Sequence, residues 1–243
     1  MTEYEQRALD DLRIWQQKME STTSYFGGLP KKFQNRINKI IPEKVHIAIT
    51  AAIKQMTRGV IAGSGFTTAR PVTDLSLEER ETKVQQRIKF YKNTAATEGA
   101  ITGAGGILLG LADFPIWLTL KMKMLHEIAS LYGYDVKNYK ERIFILHIFQ
   151  LTFSSQAQRN KTYAFLENWD TESQNLPEDI NEFDWRTFQL EYRDYIDIAK
   201  LLQLVPGIGA VVGFYVNYRL TKKLGNTALN AYRMRWKAQK QLT

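Results

Sequence analysis

Residues 98–134 read EGAITGAGGILLGLADFPIWLTLKMKMLHEIASLYGY, and their reading decides the fold class. Few windows of the sequence alternate apolar and polar residues with the period of two that a half-buried strand requires, so strands are not expected. Gly99 and Gly103 lie four apart, as do Gly106 and Gly110, so each pair shares one face of a helix. Glycine inside a helix costs roughly 1 kcal/mol relative to alanine, so its accumulation at this spacing needs a reason. Close helix–helix approach supplies one, because small residues four apart let two backbones touch. The stretch reads as helix, stopping near Gly133.

A second run, LLQLVPGIGAVVGFYVNYR over residues 201–219, echoes the first with Gly209 and Gly213 four apart, and Gly59 and Gly63 repeat the spacing. A membrane-spanning helix needs about 20 predominantly apolar residues. The first run has that length but carries Asp113 and Pro115, and Pro206-Gly207 shortens the second. Neither fits a simple single span. A helical hairpin, buried in the protein or partly inserted in a bilayer, fits better. Trp117, Tyr215, Tyr218 and Trp236 are aromatics of the kind that sit at a membrane interface. The alternative is a water-soluble helical core with glycine crossings.

Outward from these runs, helix signals dominate. Tyr4, Ala8, Leu12 and Trp15 form an amphipathic opening within residues 1–30, ended by the glycines and proline of SYFGGLP. Pro42 suits a helix start, with Val45, Ile49, Ile53 and Met56 on one face beyond it. Ser76-Leu-Glu-Glu79 has the capping-box pattern and opens a long helix through Val84, Ile88 and Tyr91. Further helices are predicted from about Val136 to Gln156 and from Asp184 to Leu204, with a basic one at the C-terminus after Pro206. Residues 170–183 read as an acidic surface loop. The fold class is all-α, a compact domain of roughly ten helices with glycine-rich central helices.

Charge is unevenly spread. The net +8 includes a net −7 over residues 160–197, whereas residues 198–243 carry eight Lys or Arg and no Asp or Glu. A basic segment beside an apolar run suits an anionic surface, either lipid headgroups or nucleic acid. The residues assigned to that contact are Arg219, Lys222, Lys223, Arg233, Arg235 and Lys237; the plain alternative is a solvated basic helix. Cysteine is absent, which excludes disulfides and thiolate metal sites. The polar, acidic N-terminal stretch lacks the basic start and apolar core of a signal peptide, so secretion by that route is not expected.

Enzyme signatures are scarce. GAGGILLG and GIGAVVG contain GxG, but no acid follows Gly213 and neither run follows a strand-like segment, as a dinucleotide loop requires. GxxxxGK[ST], HExxH and GxSxG do not occur, and Glu43 with His46 forms one isolated ExxH where a di-iron bundle needs two. No catalytic residue, metal or cofactor is expected, and no nucleic-acid reader motif stands out. Two acids do draw notice. Glu98 precedes the first glycine run and could pair with Lys121 or Arg219; Asp113 lies inside it, where it caps the next helix or serves a function.

The segment from Glu98 to Tyr134 resembles the signature of the EcsC family, as do Leu77-EER, Arg142-IFILHIFQL, Glu167-NWD, Asp184-WRTFQLEYRDYID and Leu204-VPGIGAVVGFYVNY, in order along nearly the whole chain. The resemblance implies one helical domain over residues 1–243, encoded beside the ATPase and permease of an EcsAB-type ABC exporter. It implies an accessory or regulatory role at the cytoplasmic side of the cell membrane, peripheral or partly embedded, with lipid or the transporter as partner. No established catalytic residues come with it. A soluble lipid-binding or hydrolytic protein, with Glu98 or Asp113 in an internal apolar cavity, is the competing expectation.

Overall fold

The computed structural model describes residues 1–21, 43–62, 70–104, 106–154, 156–177, 182 and 209–242, and among these there are eight helices and no strand. They are α1 (Glu3–Glu20), α2 (Glu43–Ile61), α3 (Leu77–Ala104), α4 (Gly106–Leu131), α5 (Tyr139–Phe153), α6 (Gln156–Glu167), α7 (Trp169–Glu172) and α8 (Gly209–Leu242). The helix expected over Asp184–Leu204 lies outside the described residues, as do Pro206, Gly207 and Gly63.

Local signals set most helix ends. The Ser76 hydroxyl accepts from the Glu79 amide at 3.3 Å, and the Glu79 carboxylate accepts from the Ser76 amide at 3.0 Å, which starts α3 with a reciprocal cap. Thr2 and Glu5 do the same for α1. At the far end of α4, Gly133 adopts φ +89° and donates to Ser130, while Tyr134 donates to Ala129 at 3.0 Å. This is a Schellman stop, and it needs a residue free of a Cβ penalty at positive φ.

α3 and α4 form an antiparallel hairpin. Tyr91 donates to Glu127 at 2.7 Å near its middle, and Arg80 donates to the Tyr132 carbonyl at its open end. The run 99–120 is therefore split between two arms, with α3 ending at Ala104 and α4 beginning at Gly106. Five glycines within twelve residues weaken helix continuity enough to admit the reversal. Asp113 is not an N-cap: α4 continues through it and through Pro115, about two turns in from its start.

The core lies between α4, α5 and α8. α5 is apolar nearly all round, with Ile143, Phe144, Ile145, Leu146, Ile148 and Phe149 all without exposed surface, so it is the interior helix. The expected helix over Val136–Gln156 instead stops at Ser154, whose amide caps onto Gln150, and α6 starts afresh. The start of the acidic segment 170–183 is a single helical turn, α7, with Trp169 buried against Phe144. α8 runs unbroken for 34 residues, about 50 Å at 1.5 Å per residue, so the apolar residues from Gly209 onward and the basic segment form one helix.

Candidate functional site

α8 lies antiparallel along α3, and two buried ion pairs fix its C-terminal half. Glu81 on α3 accepts from Arg233 Nε at 2.7 Å and Nη2 at 2.5 Å, and also from the Tyr4 and Tyr132 hydroxyls at 2.8 and 2.9 Å. One turn on the other side, Glu141 accepts from Arg235 at 2.6 Å and from the Tyr232 hydroxyl at 2.6 Å. The Arg235 guanidinium also sits 3.6 Å from the Tyr134 ring centroid and 4.6 Å from that of Phe144. Burial next to Glu81, with the hydrogen bond they share, pushes the Tyr4 phenol up to about 12. These groups hold the fold together, since a buried carboxylate is tolerated only when its lone pairs are filled.

Gly225 brings α3 and α8 together. A Cβ built on it would meet the Ile88 side chain at 2.6 Å, so only a hydrogen fits. Above this contact an open groove of about 460 Å³ runs between the two helices. Gln85, Gln86, Lys89 and Lys92 line it from α3, Lys222 and Asn226 from α8, with Tyr4 and Glu81 at one end. Lys92 Nζ lies 4.5 Å from the Tyr218 ring centroid. Lys92 above all, and then the charges of Lys222 and Lys89, hold the Tyr218 phenol below its ordinary pKa. Tyr218 stacks in turn on Phe214, 6.3 Å away. Phe214, Tyr215, Phe90 and Ile116 are exposed large apolar side chains.

The basic residues named from the sequence fall into two groups. Arg219 and Lys222 are exposed and Lys237 is partly so. Arg233 and Arg235 are turned inward onto Glu81 and Glu141, which corrects their assignment to an external surface: a carboxylate in the core is tolerated only with a cation paired to it. Lys223 is half-buried, and burial with the nearby charges of Arg159 and Arg219 lowers its pKa to about 8.

Trp117 is likewise an interior residue, 1% exposed, stacked on Phe114 and donating to Asn217 of α8, so it does not sit at an interface. That bond joins the two glycine-rich segments. Gly99 and Gly103 fall on α3, Gly106 and Gly110 on α4, Gly209 and Gly213 on α8. The side chains of Glu98, Asp113, Glu43 and His46 lie outside what is described, so the expected pairing of Glu98 stays open. Lys121 is fully buried with its ammonium 4.7 Å from the Trp117 ring centroid. Among the described residues no three His, Asp or Glu converge on a point where a metal ion would sit.

Fold and groove together define an all-helical protein with a cationic external cleft that leads into exposed aromatic side chains. The chain belongs to the EcsC protein family, whose model matches residues 6–236. It is 44% identical over 222 residues to Protein EcsC of Bacillus subtilis (strain 168), with 91% of each chain covered. It is 36% identical over 149 residues to the uncharacterized protein YdbA of the same organism, covering 60% of this chain and 54% of that one. No solved structure matches it.

Proposed function

We propose that this protein is an accessory or regulatory partner of an EcsAB-type ABC exporter, meeting inner-leaflet lipid or the permease at the cytoplasmic face of the membrane. Membership of the EcsC family supports the transporter half of this reading. The observation that carries the membrane half is the conjunction on α8 of exposed Phe214 and Tyr215 with exposed Arg219 and Lys222 one to two turns on. An apolar patch rimmed by cations matches the headgroup boundary, where aromatic rings and basic side chains are both favoured. No helix among the described residues is long and apolar enough to cross a membrane. In this reading the glycines of the α3–α4 hairpin and of α8 provide small faces for close contact with lipid or permease. Arg219 and Lys222 hold the domain to anionic headgroups, each contributing about 1 kcal/mol near such a surface.

Cell fractionation tests this. The protein should pellet with membranes in low salt and leave them in high salt. Retention through a carbonate wash would place the hairpin in the bilayer, still within the reading. A protein found wholly in the low-salt supernatant, with and without the transporter co-expressed, would overturn it.

A further inference from the structure

We propose that the groove between α3 and α8 is a binding site for the phosphate of an anionic phospholipid, with Lys89, Lys92 and Lys222 as its phosphate-contacting residues. The proposal rests on the membrane reading above and gives it a ligand and an address.

The charge of the groove comes first. Three lysines line it, two of them spaced three apart on α3 and the third facing them from α8. The one carboxylate among the lining residues, Glu81, is already held by Nε and Nη2 of Arg233, so it does not neutralise the lysines. Like charges lining one groove repel one another, and an anion between them offsets that repulsion. Gln85, Gln86 and Asn226 add neutral donors beside the lysines, suited to phosphate or glycerol oxygens. The same charges act on Tyr218, whose ring centroid lies 4.5 Å from the Lys92 ammonium and whose phenol is held below its ordinary pKa by Lys92, with Lys222 and Lys89 behind it. A volume of about 460 Å³ is within the range of small-ligand clefts.

The shape of the site favours a lipid over a free phosphate. Phe214, Tyr218, Lys222 and Asn226 follow at i,i+4 steps along α8, so the cationic part of the groove grades into aromatic surface in one direction. Phe214 at its end is 46% exposed. A ligand with one anionic end and one apolar end satisfies both parts. Inorganic phosphate would use only the first.

The test is binding to vesicles of phosphatidylcholine alone and of phosphatidylcholine with phosphatidylglycerol, using the full chain. Three forms are compared: wild type, K89Q/K92Q/K222Q, and the charge-matched K18Q/K137Q/K161Q, whose exposed lysines do not line the groove. Equal urea midpoints confirm that all three are folded. Wild type should prefer the anionic vesicles, the groove variant should bind them about 100-fold more weakly, and the control should change by less than about 5-fold. Equal loss in both triple variants would show that diffuse charge suffices and would overturn the groove while leaving membrane association standing. Failure of wild type to distinguish the two vesicles would overturn the groove proposal, while the cell fractionation decides the membrane reading separately. Saturable, groove-dependent binding of soluble glycerol phosphate without vesicle binding would overturn the lipid assignment.

Discussion

His126 on α4 is placed where a charged ring has no solvent to turn to, and His147 on α5 is partly buried. His126 is 3% exposed and bonds through Nδ1 to the Met122 carbonyl at 2.8 Å. His147 does the same with Ile143 at 2.9 Å and stacks on Phe165 at 4.3 Å. Burial pushes both imidazoles down to about 4. The folded pKa thus lies below the unfolded value of about 6.5, so the unfolded chain binds more protons between these limits. The associated stability is complete above pH 6.5 and is lost as the pH falls towards 4, by up to about 1.4 kcal/mol per unit for each ring. Urea midpoints at pH 7.5 and 5.5 should therefore fall with acidification, and His126→Gln should make the fall shallower. A flat profile would mean that the rings are hydrated. Neither histidine carried a sequence signal beyond its position in an apolar helix. Burial of a ring against a backbone carbonyl is a tertiary outcome.

Among the elements, the α3–α8 pair rests on Gly225, where an added Cβ would lie 2.6 to 2.9 Å from three atoms of Ile88. Isoleucine in a helix has one strongly preferred χ1, so it cannot swing aside and the helices must part. Overpacking of this kind costs about 1–3 kcal/mol, against roughly 1 kcal/mol gained in helix propensity on replacing glycine by alanine. Gly225→Ala should thus lower the urea midpoint, and Ile88→Ala in the same background should be less damaging than the two single losses added together. Strict additivity would show that the two residues do not share the contact. This glycine escaped the i,i+4 spacing argument because it stands alone, whereas Ser76-Glu79 and Gly133 announced helix ends through local chemistry that any neighbour leaves intact. The reversal between Ala104 and Gly106 was hidden for the opposite reason: GAITGAGGILLG is compatible with one helix or two, and only packing of α3 on α4 decides. The groove was legible by half. Lys222 stood out in an acid-free segment, but Lys89 and Lys92 are dispersed among charges of both signs on α3. The antiparallel pairing of α3 with α8 brings them to Lys222.

At the scale of the whole molecule, α8 is a structural spine and not an appendage. Its N-terminal part meets α4 through Trp117 and Asn217, its middle meets α3 through Gly225, and its last turns reach α1 through Lys240 and Glu5 at 2.8 Å. A basic C-terminal segment that served only as an electrostatic tether would be dispensable for folding. Deleting residues 232–243 separates the two possibilities. It removes Arg233 and Arg235 together and leaves Glu81 and Glu141 buried, with 0% and 5% exposure, facing no cation. Stripping one partner from a buried pair costs about 3–5 kcal/mol, so two such losses reach about 6–10 kcal/mol. Removal of Tyr232, which has no exposed surface, adds the burial of a full aromatic ring. Domains hold a margin of about 5–15 kcal/mol, so the truncated chain should lose its cooperative thermal transition rather than merely its surface charge. Circular dichroism melting of the truncated chain beside K237Q/K240Q, which keeps both ion pairs, reads the difference. A sharp transition near that of the intact protein would return the C-terminal segment to the role of a solvated tail. Loss confined to the truncation would show that the same helix holds the core together and presents Lys222 to the groove. Binding in the groove would then be coupled to the stability of the whole domain, because a ligand held between α3 and α8 favours only the folded arrangement.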